Sequence, residues 1–269
     1  MIASGHGPAE IGYLVVPSPA VRDAAVEAGQ GLFAGLFGGL GAFLSAPERE
    51  ASLRFSRAED RLDYPASHAL FRLLAAWRLG LEPEDAAGLT VRRTCAGCGS
   101  TTHGKPSIEG VELSMSRSHG TVMAAAGPAG ASLGADLERV PARVFAGFDE
   151  FAVAPEEHPG PDGPELTDAG RIRLWVAKEA ALKAAGLGLA VDPAGLRLAP
   201  AGPRGHLSAQ SPTNPAVDGL LVRPVPAPDG YSAAIASAAD LPVRAVPLAE
   251  IFATKKLGPN VKRLTFRYG

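Results

Sequence analysis

Glycine and proline interrupt this chain so often that its regular elements must be short. Together, 32 glycines and 24 prolines make up about a fifth of its 269 residues. That fraction stays below the roughly 25–30% at which low-complexity disorder sets in. Hydrophobic residues, at 46%, leave enough apolar material for a packed core. Collagen-like, coiled-coil and fully disordered chains are therefore excluded. What remains is a set of short strands between glycine and proline turns, with a few longer helices, in one or two domains at this length.

The apolar run 11–16 reads as a strand closed by Pro17, and a polar, charged stretch follows over 45–63. In 67–77, Leu70, Leu73, Leu74 and Trp77 recur at i, i+3, i+4 and i+7, one face of an amphipathic helix that stops near Gly80. Residues 92–106 read as a loop punctuated by Gly97, Gly99, Gly104 and Pro106. Strands are expected over 111–116, 121–126 and 132–138. The break at Gly127 to Gly130 divides an N-terminal half, 1–130, from a C-terminal half, 131–269. A second helix is expected over 168–185, ended by Gly186 after a surface loop at 154–164. Short strands follow at 196–198, 220–225 and 231–237, and 261–268 alternates as a half-buried strand would. The fold class is α+β, with a loose echo between the halves.

No stretch approaches the roughly 18 uncharged apolar residues of a membrane helix, and no basic flank suggests a signal peptide at the amino terminus. Two cysteines three residues apart are no disulfide framework. A reducing cytoplasm is the expected compartment. A formal charge of −2 excludes a chain that coats nucleic acid. Twenty of the 26 basic residues are Arg, which suits a phosphorylated ligand but equally follows from GC-rich codon usage.

Gly134-Ala-Asp136-Leu-Glu138 places two carboxylates on one face of a strand, with Leu133, Ala135 and Leu137 turned to the core. The pair reads either as ligands of a divalent cation, Mg²⁺ being suited to hard oxygen donors, or as a solvated strand end. On the second helix, Trp175, Glu179 and Lys183 share a face. Glu179 and Lys183 are either a surface ion pair or a third acid and a cation for a metal-bound diphosphate. Gly104-Lys105-Pro106 is a tight turn with one cation. The segment from Ser114 to Gly120 gathers hydroxyls, Arg117 and His119 in a turn able to meet phosphate oxygens or to serve only as a turn.

Gly-Lys-Pro, a serine-rich turn, Gly-x-Asp-x-Glu and Trp-x-x-Lys-Glu-Ala-x-x-Lys-x-x-Gly-x-Gly-Leu, in this order and spacing, resemble the Sfp-type 4′-phosphopantetheinyl transferases. Leu44-Ser45-Ala-Pro-Glu48-Arg49, Asp60-Arg61, the helix with Arg72 and the closing Gly230-Tyr231 extend the resemblance over most of the chain. It implies a pseudo-dimer of two similar α/β halves, the 4′-phosphopantetheinyl transferase fold, acting as a monomer with its active site in the cleft between the halves. The implied reaction moves the phosphopantetheine arm of coenzyme A to a serine of an apo acyl or peptidyl carrier protein and releases 3′,5′-ADP. Asp136, Glu138 and Glu179 match the family's Mg²⁺ ligands, and Glu179 also matches the base for the carrier serine. Lys183 matches the lysine at the diphosphate. Arg72, Lys105, Pro106 and Ser116 match positions around the nucleotide and its phosphates, and Arg57 and Arg61 lie where basic residues reach the 3′-phosphate. A carboxylate beside Mg²⁺ has a depressed pKa, so a base there must act through placement.

Where the family commonly reads Ser-His-Ser, this chain reads Ser116-Arg117-Ser118, with His119 one place later. Either Arg117 retains phosphate binding or a register shift brings His119 into the site. Cys95-x-x-Cys98 with His103 lacks an obvious fourth zinc ligand and reads as two reduced thiols on a glycine-rich turn. From Ile251 onward five basic residues and no acid form a tail suited to steering an acidic carrier or to guarding an edge strand. Two rival functions stand beside the transferase: a Mg²⁺-dependent nucleotide phosphohydrolase, for which no Gly-x-x-x-x-Gly-Lys-[Ser/Thr] loop is found, and an inactive coenzyme A-binding homologue.

Overall fold

A computed structural model describes residues 9–28, 37–94, 98–101, 104–159, 164–188, 191–202 and 205–253. Its architecture is α+β, with two principal sheets and one long helix against each. The basic tail, the expected strand at 261–268, Cys95 and His103 lie outside the described residues.

The chain opens with β1 (Ile11–Pro17) and α1 (Ser18–Ala28). After a 3₁₀ turn at Phe37–Phe43 come α2 (Ala46–Ser52) and α3 (Ala58–Leu79). The expected helix is present and ends at Gly80 with φ +77, but it starts nine residues early and carries Pro65 inside it. Its middle is buried all round, Phe71, Ala75 and Ala76 as fully as Leu70, Leu73 and Leu74. The reason is packing on two sides: α1 and the 3₁₀ turn cover the face turned away from the sheet.

The expected loop at 92–106 contains a ribbon, β2 (Arg92–Thr94) paired antiparallel with β3 (Lys105–Ser107). The hairpin β4 (Val111–Ser118) and β5 (Thr121–Pro128) follows, and β5 also pairs with β1. The hairpin closes through His119 and Gly120, with φ +46 and +82, the two left-handed positions of a type I′ turn. The segment read as a serine-rich turn is therefore the end of a strand, and only these two residues turn.

The second sheet is antiparallel throughout. It begins with β6 (Gly134–Arg139) and, after α4 (Phe148–Ala152) and α5 (Asp168–Ala185), adds β7 (Arg197–Pro200), β8 (Leu207–Gln210), β9 (Leu221–Val225) and β10 (Tyr231–Ser237) in the order β6-β10-β9-β8-β7. Thr167 caps α5 by accepting from Gly170 N at 3.0 Å, and Gly186 ends it with φ +74. The chain then returns to the first sheet: β11 (Val243–Ala245) pairs parallel with β1, and α6 (Leu248–Phe252) places Glu250 to accept from Trp77 Nε1 at 3.1 Å.

Among the described residues the core has three apolar clusters. One lies between α3 and the first sheet, one between α5 and the second sheet, and the third joins the sheets through Ile11, Tyr13, Met123, Leu133, Ala135, Leu137 and Ile235. As strand alternation requires, Ala135 and Leu137 enter this joint while Gly134 and Asp136 turn to the α5 side. Gly134 sets the distance of that side. A Cβ there would stand 2.0 Å from the Ala180 carbonyl oxygen and 2.4 Å from Ala184 N, so only glycine lets α5 lie directly on β6. Among the described residues, no helix is long and apolar enough to cross a membrane.

Candidate active site at the seam of the two sheets

Strand β4 runs beside β6, and the three serines at alternate positions of β4 bind the two together. Ser114 Oγ accepts from Ala135 N at 2.8 Å, Ser116 Oγ donates to Asp136 Oδ1 at 2.9 Å, and Ser118 Oγ donates to Glu138 Oε2 at 2.7 Å. Each second residue faces the seam because strand side chains alternate. This hydroxyl ladder assembles the site: one sheet supplies hydroxyls, the other carboxylates.

Helix α5 completes the cluster. Lys183 Nζ lies 2.5 Å from Asp136 Oδ1 and donates to Ser116 Oγ at 3.2 Å. One turn earlier, Glu179 is almost fully buried beside the same carboxylate. Two buried acid oxygens, Asp136 Oδ2 and Glu179 Oε1, have no hydrogen-bond partner among the described residues. Burial, and then the Asp136 charge, push the Glu179 carboxyl up to about 7, against the opposing pull of Lys183. Burial also raises the Glu138 carboxyl, with the Ser118 hydroxyl opposing and Asp136 adding to the rise. Burial is thus the main cause of the rise at Glu179, and the neighbouring acids add to it.

Unpartnered buried carboxylate oxygens in a like-charged group are what a hard divalent cation satisfies, so the donor set fits Mg²⁺. The acids do not form a ready three-ligand metal cluster among the described residues. Lys183 takes one oxygen of Asp136 and Ser118 takes one of Glu138.

Other expected site residues fall into two groups. Lys105 and Pro106 line a cavity of about 330 Å³ together with Lys183, Ser114 and Gly186 to Gly188. Lys105 donates to the Ala184 carbonyl at 3.3 Å and lies 3.5 Å from Glu112. Burial lowers its ammonium pKa while Glu112 opposes. Arg117 lies on the other face of β4, its guanidinium over the rings of Phe55 and Tyr64 at 5.6 and 5.3 Å. The imidazole joined to the acids is that of His119, whose Nδ1 is 2.9 Å from Ser118 Oγ.

Arg72 is buried, with Nε on Glu48 at 2.6 Å and Nη1 on the carbonyls of Ala86, Ala87 and Leu89. It fastens α3 to the elements around it and lines, with Tyr64, Arg92, Arg93, Thr94 and Ser45, a second cavity of about 530 Å³. Arg57 and Arg61 are exposed at the start of α3, and Arg61 Nε donates to the Phe55 carbonyl at 2.9 Å. Neither hydrogen-bonds to the acid cluster among the described residues. Cys98 is exposed.

Sequence reasoning missed a groove of about 380 Å³ running from Glu138 and His119 past Arg139 and Arg143 to Phe145, Phe148, Phe151 and Trp175. Three phenylalanines three residues apart are its sequence signal, and Phe145 and Phe151 are exposed at 58% and 42%. A roomier cavity of about 680 Å³, around Arg197, Gln210 and Asp218 at the far end of the second sheet, holds none of the acids. Comparison with models of known protein families and with characterised proteins finds no match to this chain.

Proposed function

We propose that this protein is a Mg²⁺-dependent transferase that moves the 4′-phosphopantetheine arm of coenzyme A to a serine of an apo carrier protein. One observation carries the reading: half-buried Ser116 and Lys183 meet buried Asp136 and Glu179, drawn from both sheets and from α5, in one cluster where two acid oxygens are unpartnered among the described residues. The motif resemblance names the reaction, and this geometry gives it a site. On this reading the two sheets, each with its long helix, form the pseudo-dimer, and the seam is its cleft.

Asp136, Glu138 and Glu179 would hold the cation. A cation held there would supply positive charge against the diphosphate of coenzyme A. The remaining chemistry belongs to the chain and its substrates. The carrier serine oxygen forms a bond to the phosphorus bearing the pantetheine arm. The bond from that phosphorus to the nucleotide phosphate oxygen breaks, and that oxygen keeps the electron pair. Glu179 takes the serine proton, and Lys183 supplies positive charge to the departing 3′,5′-ADP. No covalent enzyme intermediate is needed, since positioning and charge neutralisation supply the catalysis. Lys105 and Pro106, in the cavity shared with Lys183, contact the nucleotide.

The groove at Glu138 suits the carrier. Its exposed phenylalanines offer an apolar anchor, while Arg139 and Arg143 meet an acidic surface. The test is release of 3′,5′-ADP from coenzyme A and Mg²⁺, with and without an apo carrier. Release that requires the carrier is expected. Equal release without it identifies a hydrolase, and none with any of several carriers refutes the transferase.

A further inference from the structure

The hairpin turn at the head of β4 contains a residue that turn chemistry does not favour. Two-residue type I′ turns take Asn-Gly, because both central residues need a left-handed backbone. Here the first position is His119, at φ +46. The turn is held from three sides. Gly120 N donates to Asp63 Oδ2 at 2.9 Å, Tyr231 of β10 donates its hydroxyl to the His119 carbonyl at 2.6 Å, and His119 Nδ1 contacts Ser118 Oγ at 2.9 Å.

The protons on Ser118 settle the direction of the last contact. Its single hydroxyl proton goes to Glu138 Oε2 at 2.7 Å, and the Arg139 amide donates to its oxygen at 3.1 Å. The remaining lone pair faces Nδ1, so His119 donates there and the hydroxyl is fully coordinated. A rotor free to turn becomes one that points at Glu138. Among the described residues, Ser118 is the one hydrogen-bond donor to that carboxylate.

We propose that His119 is a positioning residue for the acid cluster: through Ser118 it fixes the Glu138 carboxylate, and the Asp63 and Tyr231 contacts hold the turn from which it does so. The inference rests on the reading of Asp136, Glu138 and Glu179 as the cation-holding acids.

The test compares His119→Gly and His119→Asn with the wild-type protein. Glycine suits φ +46 and removes the donor, so its variant should fold with a melting temperature no lower than wild type. Asparagine suits the turn and places its amide nitrogen where Nδ1 stands. Mn²⁺, standing in for Mg²⁺, is titrated by electron paramagnetic resonance without coenzyme A or carrier. Crystal structures of the three proteins report the Glu138 side chain.

His119→Gly should bind Mn²⁺ about fivefold more weakly, as loss of one hydrogen bond implies, with Glu138 moved from its contact with Ser118. His119→Asn should restore both. Unchanged Mn²⁺ affinity in His119→Gly with Glu138 in place would overturn the proposal, and so would an asparagine variant as weak as the glycine one. If the wild-type protein binds no Mn²⁺, the reading of the acids fails. The positioning claim is then decided by whether Glu138 moves in the crystal structure of His119→Gly.

Discussion

Gly134→Ala separates the packing that builds the site from the side chains that populate it. The new methyl would stand 2.0 Å from the Ala180 carbonyl oxygen, whereas real Cβ atoms essentially never approach within 3.0 Å. Helix and strand must therefore part by about 1 Å. The obstructing atoms are helix backbone, which has no rotamer to yield, so the cost belongs at the upper end of the overpacking range, about 3 kcal/mol. The same displacement carries Glu179 and Lys183 away from Asp136, and a misplacement of about 1 Å lowers catalysis about 100-fold. Urea unfolding and carrier modification would be measured on Gly134→Ala beside Gly88→Ala, where a Cβ meets nothing within 4 Å. The control should lie within about 1 kcal/mol of wild type. An unfolding free energy for Gly134→Ala within about 0.5 kcal/mol of wild type, with full transfer activity, would refute the close approach of α5 and β6 as the origin of the site.

Four further outcomes follow from particular contacts. His68 is buried as a neutral imidazole against Tyr64, and desolvation lowers its pKa to about 4 from an ordinary 6.5. The unfolded chain takes up this proton first, so stability present above pH 6.5 is lost as the pH falls towards 4, by at most about 3 kcal/mol. His68→Leu should flatten that slope in urea titrations. Lys178 is fully buried, paired with Glu157 at 2.6 Å and hydrogen-bonded to the carbonyls of Ala152 and Pro193. Lys178→Met should cost about 3–5 kcal/mol in chemical unfolding by leaving Glu157 buried without its cation. Mg²⁺ at 100 times its dissociation constant should stabilise the wild-type protein by about 2.7 kcal/mol, and should have little effect on the Asp136→Ala, Glu179→Ala double variant in calorimetry. Because Phe145 and Phe151 are exposed, their joint replacement by serine should leave the melting temperature nearly unchanged while raising the KM for the carrier about tenfold.

Features governed by local chemistry are legible in the sequence. The end of α5 follows from its terminal glycine, and the shared face of Asp136 and Glu138 follows from the period of a strand. Four features were hidden, each by a nonlocal cause. The first turns of α3 fall in the stretch read only as polar and charged, and Asp63 there accepts from Ser18 Oγ and from Gly120 N, partners 45 and 57 residues away. Spacing alone did not reveal which face of β4 would meet the second half. That face carries the serines, and Arg117 consequently stacks on Phe55 and Tyr64. Arg72, read as a phosphate contact, is surrounded by carbonyls and Glu48 supplied by segments up to 24 residues away. The return of β11 and α6 to the first sheet left no trace in the local pattern, because it depends on pairing with β1 more than 200 residues earlier.

Intact-mass measurement of an apo carrier protein, after incubation with this protein, coenzyme A and Mg²⁺, tests the central claim most directly. The account predicts a mass increase equal to one phosphopantetheine arm on the carrier, abolished by Glu179→Ala and by Asp136→Ala. Unmodified carrier in every case, or modification that survives both substitutions, would contradict it.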